Sequence, residues 1–329
     1  MKQFSIIIPI YNEDKYIKGL LESVFQVNYP EDKYEVIVVN DASTDDTAKI
    51  VKRFPKVHLV DLKANVGRYA ARKIGTEAAA HPHILFVDSR ALIDRNILSV
   101  LNTLNEKIVV GTVLSPERPG LFDTFYAAIR RIIFRKHYAL AKNPIRLTKE
   151  NFDSLQKGTT VLYVEKKTLF QAYEILSTVD MGKNSSDDIR LINTIVQSTD
   201  ALIHPDVKII GLSRKSFPAS FLHLIWRGRT FVDYYLHPSK RNFWLVILLP
   251  LLAFLAILLG LILIPISGTI KVAALLGSDL IVTLVLARTF REFAIILFML
   301  PVCVSAFYIG IMHGIYLKFY KAFRTRGIY

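Results

Sequence analysis

Cysteine is nearly absent, with Cys303 standing alone in 329 residues. A disulfide framework is therefore excluded. With no ligand-type neighbour, this thiol reads as a small core residue. Acidic residues are also scarce, 28 Asp and Glu against 42 Lys and Arg, for a formal net charge of +14. Neither common phosphate cradle is present: there is no Gly-x-Gly-x-x-Gly turn and no glycine loop closing on Lys-Ser or Lys-Thr. A nucleotide on this chain would be met by carboxylates. No secretory signal opens it either. The apolar run Phe4–Ile10 is short and meets Tyr11-Asn12-Glu13-Asp14 at once, so the front is expected to stay in the cytoplasm.

Apolar residues, by contrast, are abundant, at 52% of the chain, with a mean hydropathy of +0.33. The excess lies in three stretches near the end. Phe243–Ile266 and Phe293–Leu317 carry no charge, and Thr269–Ala287 carries Lys271 and Asp279. The first reaches roughly 36 Å as a helix, enough for a hydrocarbon core of about 30 Å. The expectation is a multi-pass membrane region over 242–329, entered through an interfacial amphipathic segment at 216–241, with residues 1–215 as a cytoplasmic domain. About three crossings are predicted, although the basic tail favours an even number.

The positive charge clusters beside these stretches. Between Leu114 and Glu150 eight basic residues face three acidic ones. Phe122–Leu140 mixes Phe125, Tyr126, Ile129 and Ile132 with Arg130, Arg131, Arg135 and Lys136. It reads either as a helix lying in a membrane interface or as one packed on a sheet. Charge in such places suits anionic lipid headgroups better than nucleic acid, and no nucleic-acid partner is expected. Lys271 and Asp279 are too few to outline a transport pathway.

The first ninety residues alternate two periods. Phe4–Ile10, Tyr34–Val39, Val57–Leu62 and His83–Val87 read as strands. Lys15–Gln26, Thr44–Phe54 (capped by Ser43 or Thr44) and Gly67–Ala80 read as helices. Strands and helices alternating in this way imply βαβ units and a mainly parallel sheet, with ligands at the carboxyl ends of the strands. Asn40-Asp41, Asp61 and Asp88 stand at those ends. A later strand is predicted at Thr159–Val164, and a helix at Ile189–Gln197 opens on Asn184-Ser185-Ser186-Asp187-Asp188.

The order of these motifs resembles the family 2 inverting glycosyltransferases with the GT-A fold, over residues 4 to about 230. Ile6-Ile7-Ile8-Pro9-Ile10-Tyr11-Asn12-Glu13 is similar to the family's opening strand and nucleobase loop. Val38-Val39-Asn40-Asp41 is similar to its second-strand motif, where the aspartate meets the uracil or ribose. Asn65-Val66-Gly67-Arg68-Tyr69-Ala70-Ala71-Arg72 is similar to its nucleotide-proximal loop and helix. The resemblance implies nucleotide-sugar contacts from Pro9, Tyr11, Asn12, Glu13, Asp41, Asn65, Gly67, Arg72, Asp88, Ser89 and Arg90. It also implies Asp188 as catalytic base, with Asp187 as the supporting acid.

Two departures matter. Val87-Asp88-Ser89-Arg90 stands where the family has Asp-X-Asp, whose second acid ligates Mg²⁺ or Mn²⁺. Arg90 cannot ligate a cation. It pairs with the donor diphosphate, or a metal binds through Asp88 and another acid such as Asp94, or the site is inactive. Secondly, the Gln-X-X-Arg-Trp motif of processive relatives is replaced by His223-Leu224-Ile225-Trp226-Arg227, which argues against a polymer synthase. Arg227 and Arg229 are left as contacts for a diphosphate or an acceptor phosphate. The resemblance thus implies transfer of one sugar from a UDP- or GDP-sugar to a lipid-linked or membrane-proximal acceptor. The alternatives are a polyprenyl-phosphate sugar synthase and a degenerate membrane scaffold.

Overall fold

The computed structural model describes residues 1–134, 142–179, 181, 185–213, 216–235, 277, 279–284 and 286–325. In chain order the elements are β1 (Phe4–Ile10), α1 (Ile17–Val24), β2 (Tyr34–Asn40), α2 (Thr47–Val51), β3 (Val57–Asp61), α3 (Arg68–Ala78), β4 (His83–Val87), β5 (Ala91–Ile93), α4 (Ile97–Thr103), β6 (Ile108–Leu114), α5 (Leu121–Ile133), β7 (Ile145–Leu147), β8 (Val161–Glu165), α6 (Lys166–Leu176), α7 (Asp187–Val196), β9 (Ala201–Gly211), α8 (Phe217–Tyr235) and α9 (Phe290–Thr325). Two compact units emerge: Met1–Pro119 with Ile133–Ser213, and Gly120–Ile132 with Arg214–Tyr329. The segment carrying most of α5 thus groups with the C-terminal unit, although it lies inside the 1–215 span expected for the catalytic domain.

The first unit is built on one nine-stranded sheet of order β3-β2-β1-β4-β8-β6-β9-β5, with β7 beside β9. The four strands β3, β2, β1 and β4 are parallel, as the alternating periods predict. Beyond β4 the expectation of a mainly parallel sheet fails. β8 runs antiparallel to β4 and β6, β9 runs parallel to β6, and β5 and β7 run antiparallel to β9. The strand–helix alternation behind parallel pairing ends at β4: β5 follows after only Asp88, Ser89 and Arg90, with no crossover helix between, and pairs with β9 instead. β5, α4, β6, β7, α6 and β9 have no counterpart in the sequence reading.

All seven residues of β1 are buried, which explains its unbroken apolar run. Successive side chains alternate faces. Ile6, Ile8, Val38 and Leu85 pack with Leu20 and Leu21 of α1 in one core cluster, while Ile7 and Val39 lie against Gly75 of α3. A Cβ on Gly75 would sit 2.5 Å from Ile7 Cγ2, so glycine is what lets α3 approach the sheet. Pro9 lies past the last β1–β4 pair, Ile7 with Phe86; its missing N–H therefore costs no bond on that side.

In the second unit, Phe122, Phe125 and Ala128 of α5 pack with Leu224 of α8 and with Met299, Cys303 and Ala306 of α9. Cys303 is a core residue, as expected. α8 and α9 meet backbone to backbone. A Cβ on Gly310 would collide with the Ile225 carbonyl oxygen, and one on Gly228 with that of Phe307. Gly310 and Gly314 are four apart, the spacing that lets apolar helices pack closely. Arg131 of α5 forks onto Glu292 of α9, at 3.1 and 3.0 Å. Among the described residues one helical stretch, Phe290–Lys318, is long and apolar enough to cross a membrane. Phe243–Ile266 and most of Thr269–Ala287 lie outside the described residues, as do Arg135, Lys136 and Asn184.

Candidate active site

The carboxyl ends of β1, β2 and β3 lie level, since Ile10 pairs with Asn40 and Asn40 with Asp61. Short polar side chains bind the loops that leave them. Asn12 donates its N–H to Ser43 Oγ at 2.9 Å and accepts the Thr44 N–H at 2.8 Å. Ser43 and Thr44 are thereby used, and neither caps α2. Instead α2 begins at Thr47, and Asp45 accepts the Thr47 N–H at 3.0 Å. Burial pushes the Asp45 carboxyl up, but bonds from Thr47 and Asp14 outweigh it and hold the group below its ordinary range. Asn12 and Ala42 adopt left-handed backbone, φ 54° and 59°. Asn tolerates this, whereas Ala does so at a cost of roughly 1–2 kcal/mol.

Asp41 is buried and fully engaged. Its two carboxylate oxygens accept the Val66 and Gly67 N–H groups at 2.6 and 2.9 Å, and Asn65 Nδ2 donates to its carbonyl at 3.1 Å. Its task in this structure is to hold the loop that enters α3. Gly67, at φ 88°, makes the turn that a side chain would strain.

The residues at the β4 end meet the start of α7 through one guanidinium. Arg72, on α3, is fully buried. It donates to Asp187 Oδ2 at 2.7 Å and to Asp88 Oδ1 at 3.1 Å. Burial alone would lower its pKa, but Asp187, Asp88 and Asp188 together raise it further above its ordinary value. The charge is therefore permanent. Arg68, one turn earlier, bonds the other Asp187 oxygen at 2.8 Å. Sitting at the positive end of α3, Arg68 needs such an acidic partner. It was not among the predicted contacts; its i, i+4 spacing from Arg72 was the available signal. Asp187 is thus spoken for twice. Asp188 is half-buried and accepts only the adjacent Ile189 N–H, at 2.9 Å, among the described residues.

Arg90 lies apart from this bridge. Its Nε donates to Glu13 Oε2 at 2.9 Å and its Nη2 to Oε1, a two-pronged pair. Its guanidinium carbon lies 5.6 Å from the centre of the Tyr16 ring. Glu13 is buried, and Thr47 Oγ1 accepts its N–H at 2.8 Å. Two predicted donor contacts, Glu13 and Arg90, are therefore partners of each other, 77 positions apart in sequence. Ser89 is buried between Asp88 and Arg90, and Tyr11 is exposed. Arg227 and Arg229 stand on α8 in the other unit.

Residues 5–163 match the family described as Glycosyl transferase family 2. The chain carries a family 2 glycosyltransferase domain. It is 36% identical over 102 residues, 30% of its length, to the poly(ribitol-phosphate) beta-N-acetylglucosaminyltransferase TarS of Staphylococcus aureus. It is 43% identical over 58 residues, 18% of its length, to the dolichyl N-acetyl-alpha-D-glucosaminyl phosphate 3-beta-D-2,3-diacetamido-2,3-dideoxy-beta-D-glucuronosyltransferase of Methanococcus voltae. These alignments span 18% of the length of either relative. The fold is also that of the mannosyltransferase PcManGT of Pyrobaculum calidifontis, solved with GDP-Man and Mn²⁺. TM-score is 0.62 at 19% identity, covering 96% of this chain and 88% of that one.

Of the family's two cation acids the glycosyltransferase domain keeps Asp88. Among the described residues no three Asp, Glu, His or Cys side chains gather as a metal site. Asp88 is bonded to one guanidinium, and a second, Arg90, fills the position of the family's other acid. Asp94 does not make up the set. Its N–H pairs with the Lys208 carbonyl, while the Arg90 carbonyl pairs with the Leu212 N–H. Arg90 and Asp94 therefore flank the extended β5, four residues and roughly 13 Å apart at strand rise.

Proposed function

We propose that this chain moves one sugar, with inversion, from a UDP- or GDP-sugar to a lipid-linked or membrane-proximal acceptor at the cytoplasmic face of a membrane. The observation that carries the reading is the Arg72 bridge. It gathers the acid at the end of β4, in the donor-side loop, and the two acids that open α7 into one cluster. Both oxygens of Asp187 are already held by arginines. Asp188 remains as the general base. It takes the proton of the acceptor hydroxyl as that oxygen attacks the anomeric carbon and the bond from that carbon to the diphosphate oxygen breaks. The nucleoside diphosphate leaves as an anion, which calls for fixed positive charge. If the acceptor is itself a phosphate, no proton need be removed and Asp188 orients it.

A membrane setting is supported by the exposed apolar surface of α9, with Phe290 85% and Phe298 76% exposed, and by the basic segments that flank the apolar stretches. Non-processive transfer is supported by the missing Gln-X-X-Arg-Trp motif. The rival reading, a degenerate scaffold, draws on Arg90 in the position of a metal ligand. One variant separates them. Asp188→Asn is expected to lower kcat by about 10²–10⁴-fold and leave the Kd for the nucleotide unchanged by calorimetry. Full activity in Asp188→Asn would refute the base; no transfer and no nucleotide binding by the unmodified chain would favour the scaffold.

A further inference from the structure

The mismatch between the β4 loop and a cation site points to how the donor is held. A dication at a sugar-nucleotide diphosphate supplies positive charge to the leaving oxygens and bridges them to protein carboxylates. Here the charges at that loop have the opposite arrangement. Asp88 already neutralises part of Arg72, at 3.1 Å, so its carboxylate is a weakened ligand. Two residues on, the protein presents a cation where a ligand is needed. A Mn²⁺ placed at Asp88 would feel two guanidiniums, one permanently charged and buried.

Arg90 has the capacity to replace the dication. Its guanidinium carries five N–H donors in a rigid fork, and the pair with Glu13 uses two of them. Among the described residues the guanidinium makes no other hydrogen bond, and the side chain is 22% exposed. Glu13 and the Tyr16 ring fix the plane of the fork, so less rotamer freedom is lost when phosphate oxygens arrive. The buried Glu13, anchored through its N–H to Thr47, reads as a holder of Arg90 and not as a base contact.

We propose that this chain binds the diphosphate of its nucleotide-sugar donor without a divalent cation, through Arg90 held by Glu13. The inference rests on the donor reading above, and calorimetry separates the two. UDP and GDP are titrated into the full chain in detergent, once in EDTA and once in Mn²⁺. At least one nucleotide is expected to bind with Kd values within about twofold in the two buffers. Arg90→Ala is expected to weaken that binding at least tenfold in EDTA, with Arg90→Lys between them. Arg90→Asp, which restores Asp-X-Asp, is expected to bind only with Mn²⁺. Binding by the unmodified chain that vanishes in EDTA and returns with Mn²⁺ overturns the inference and leaves the donor reading standing. Binding of neither nucleotide in either buffer overturns both. Because Ala removes the guanidinium from the buried Glu13, Glu13→Gln with Arg90→Ala is measured as well. Unweakened binding in EDTA by that folded pair also overturns it.

Discussion

The two units are held together by opposite means. In the sheet unit, full-length charged side chains are drawn inside, and Arg72 is as buried as the isoleucines of β1. In the helical unit, closeness comes from having no side chain at all, where Gly228 and Gly310 let α8 and α9 touch through their backbones. A buried ion network is intolerant of losing a member, because what remains is an uncompensated charge. A glycine crossing is intolerant of gaining an atom. The first arrangement positions charged side chains, and the second sets only the spacing of helices.

The sharpest break in that comparison is Arg72→Ala. It leaves Asp187 to Arg68 alone and takes the guanidinium from Asp88, and a cost of about 3–5 kcal/mol is expected from denaturant unfolding. A loss no larger than that of an exposed pair such as Lys18–Glu22 would show that solvent reaches the cluster. Next come the glycines. Gly310→Ala is expected to cost about 1–3 kcal/mol, read as a lower melting temperature and faster proteolysis of the C-terminal unit. Gly75→Ala, against Ile7, belongs in the same range. Gly158→Ala, with nothing within 4 Å of its Cβ, is the control and should be neutral.

The smallest effect is a pH dependence. Burial, helped by the nearby charge of Lys2, lowers the His83 pKa from its ordinary 6.5. Unfolded chains therefore bind more protons than folded ones once pH drops below about 6.5. The stability is fully present above that value and is lost as pH falls through the folded pKa. Melting temperatures between pH 8 and 5.5 should fall less in His83→Gln than in the unmodified chain. An equal fall in both would remove His83 as a cause.

Much of the sheet unit was legible, because its signals are local. A buried parallel strand announces itself by an unbroken apolar run, and a turn at a strand end by Asn and Asp. That placed β1 to β4, and it put Asp41 and Asp88 at strand ends. The short strands β5 and β7 carry too few residues for a period to register, and β9 is interrupted by His204, Pro205 and Asp206, which reads as a turn.

Side-chain partnership was the part that residue spacing could not supply. From residue spacing alone, Asp187 and Asp188 are both acids at a helix start, told apart only by the family resemblance, and Glu13 and Arg90 are two separate donor contacts. Sequence by itself determined which residue types stand at the carboxyl ends of the strands, since hydrophobic periodicity and turn chemistry act over a few residues. Only the tertiary structure decided which of those charges cancel. Arg72 reaches Asp187 across 115 positions and Arg90 reaches Glu13 across 77. Such pairs exist because strand order brings loops together, and strand order is set by how the whole sheet buries its faces.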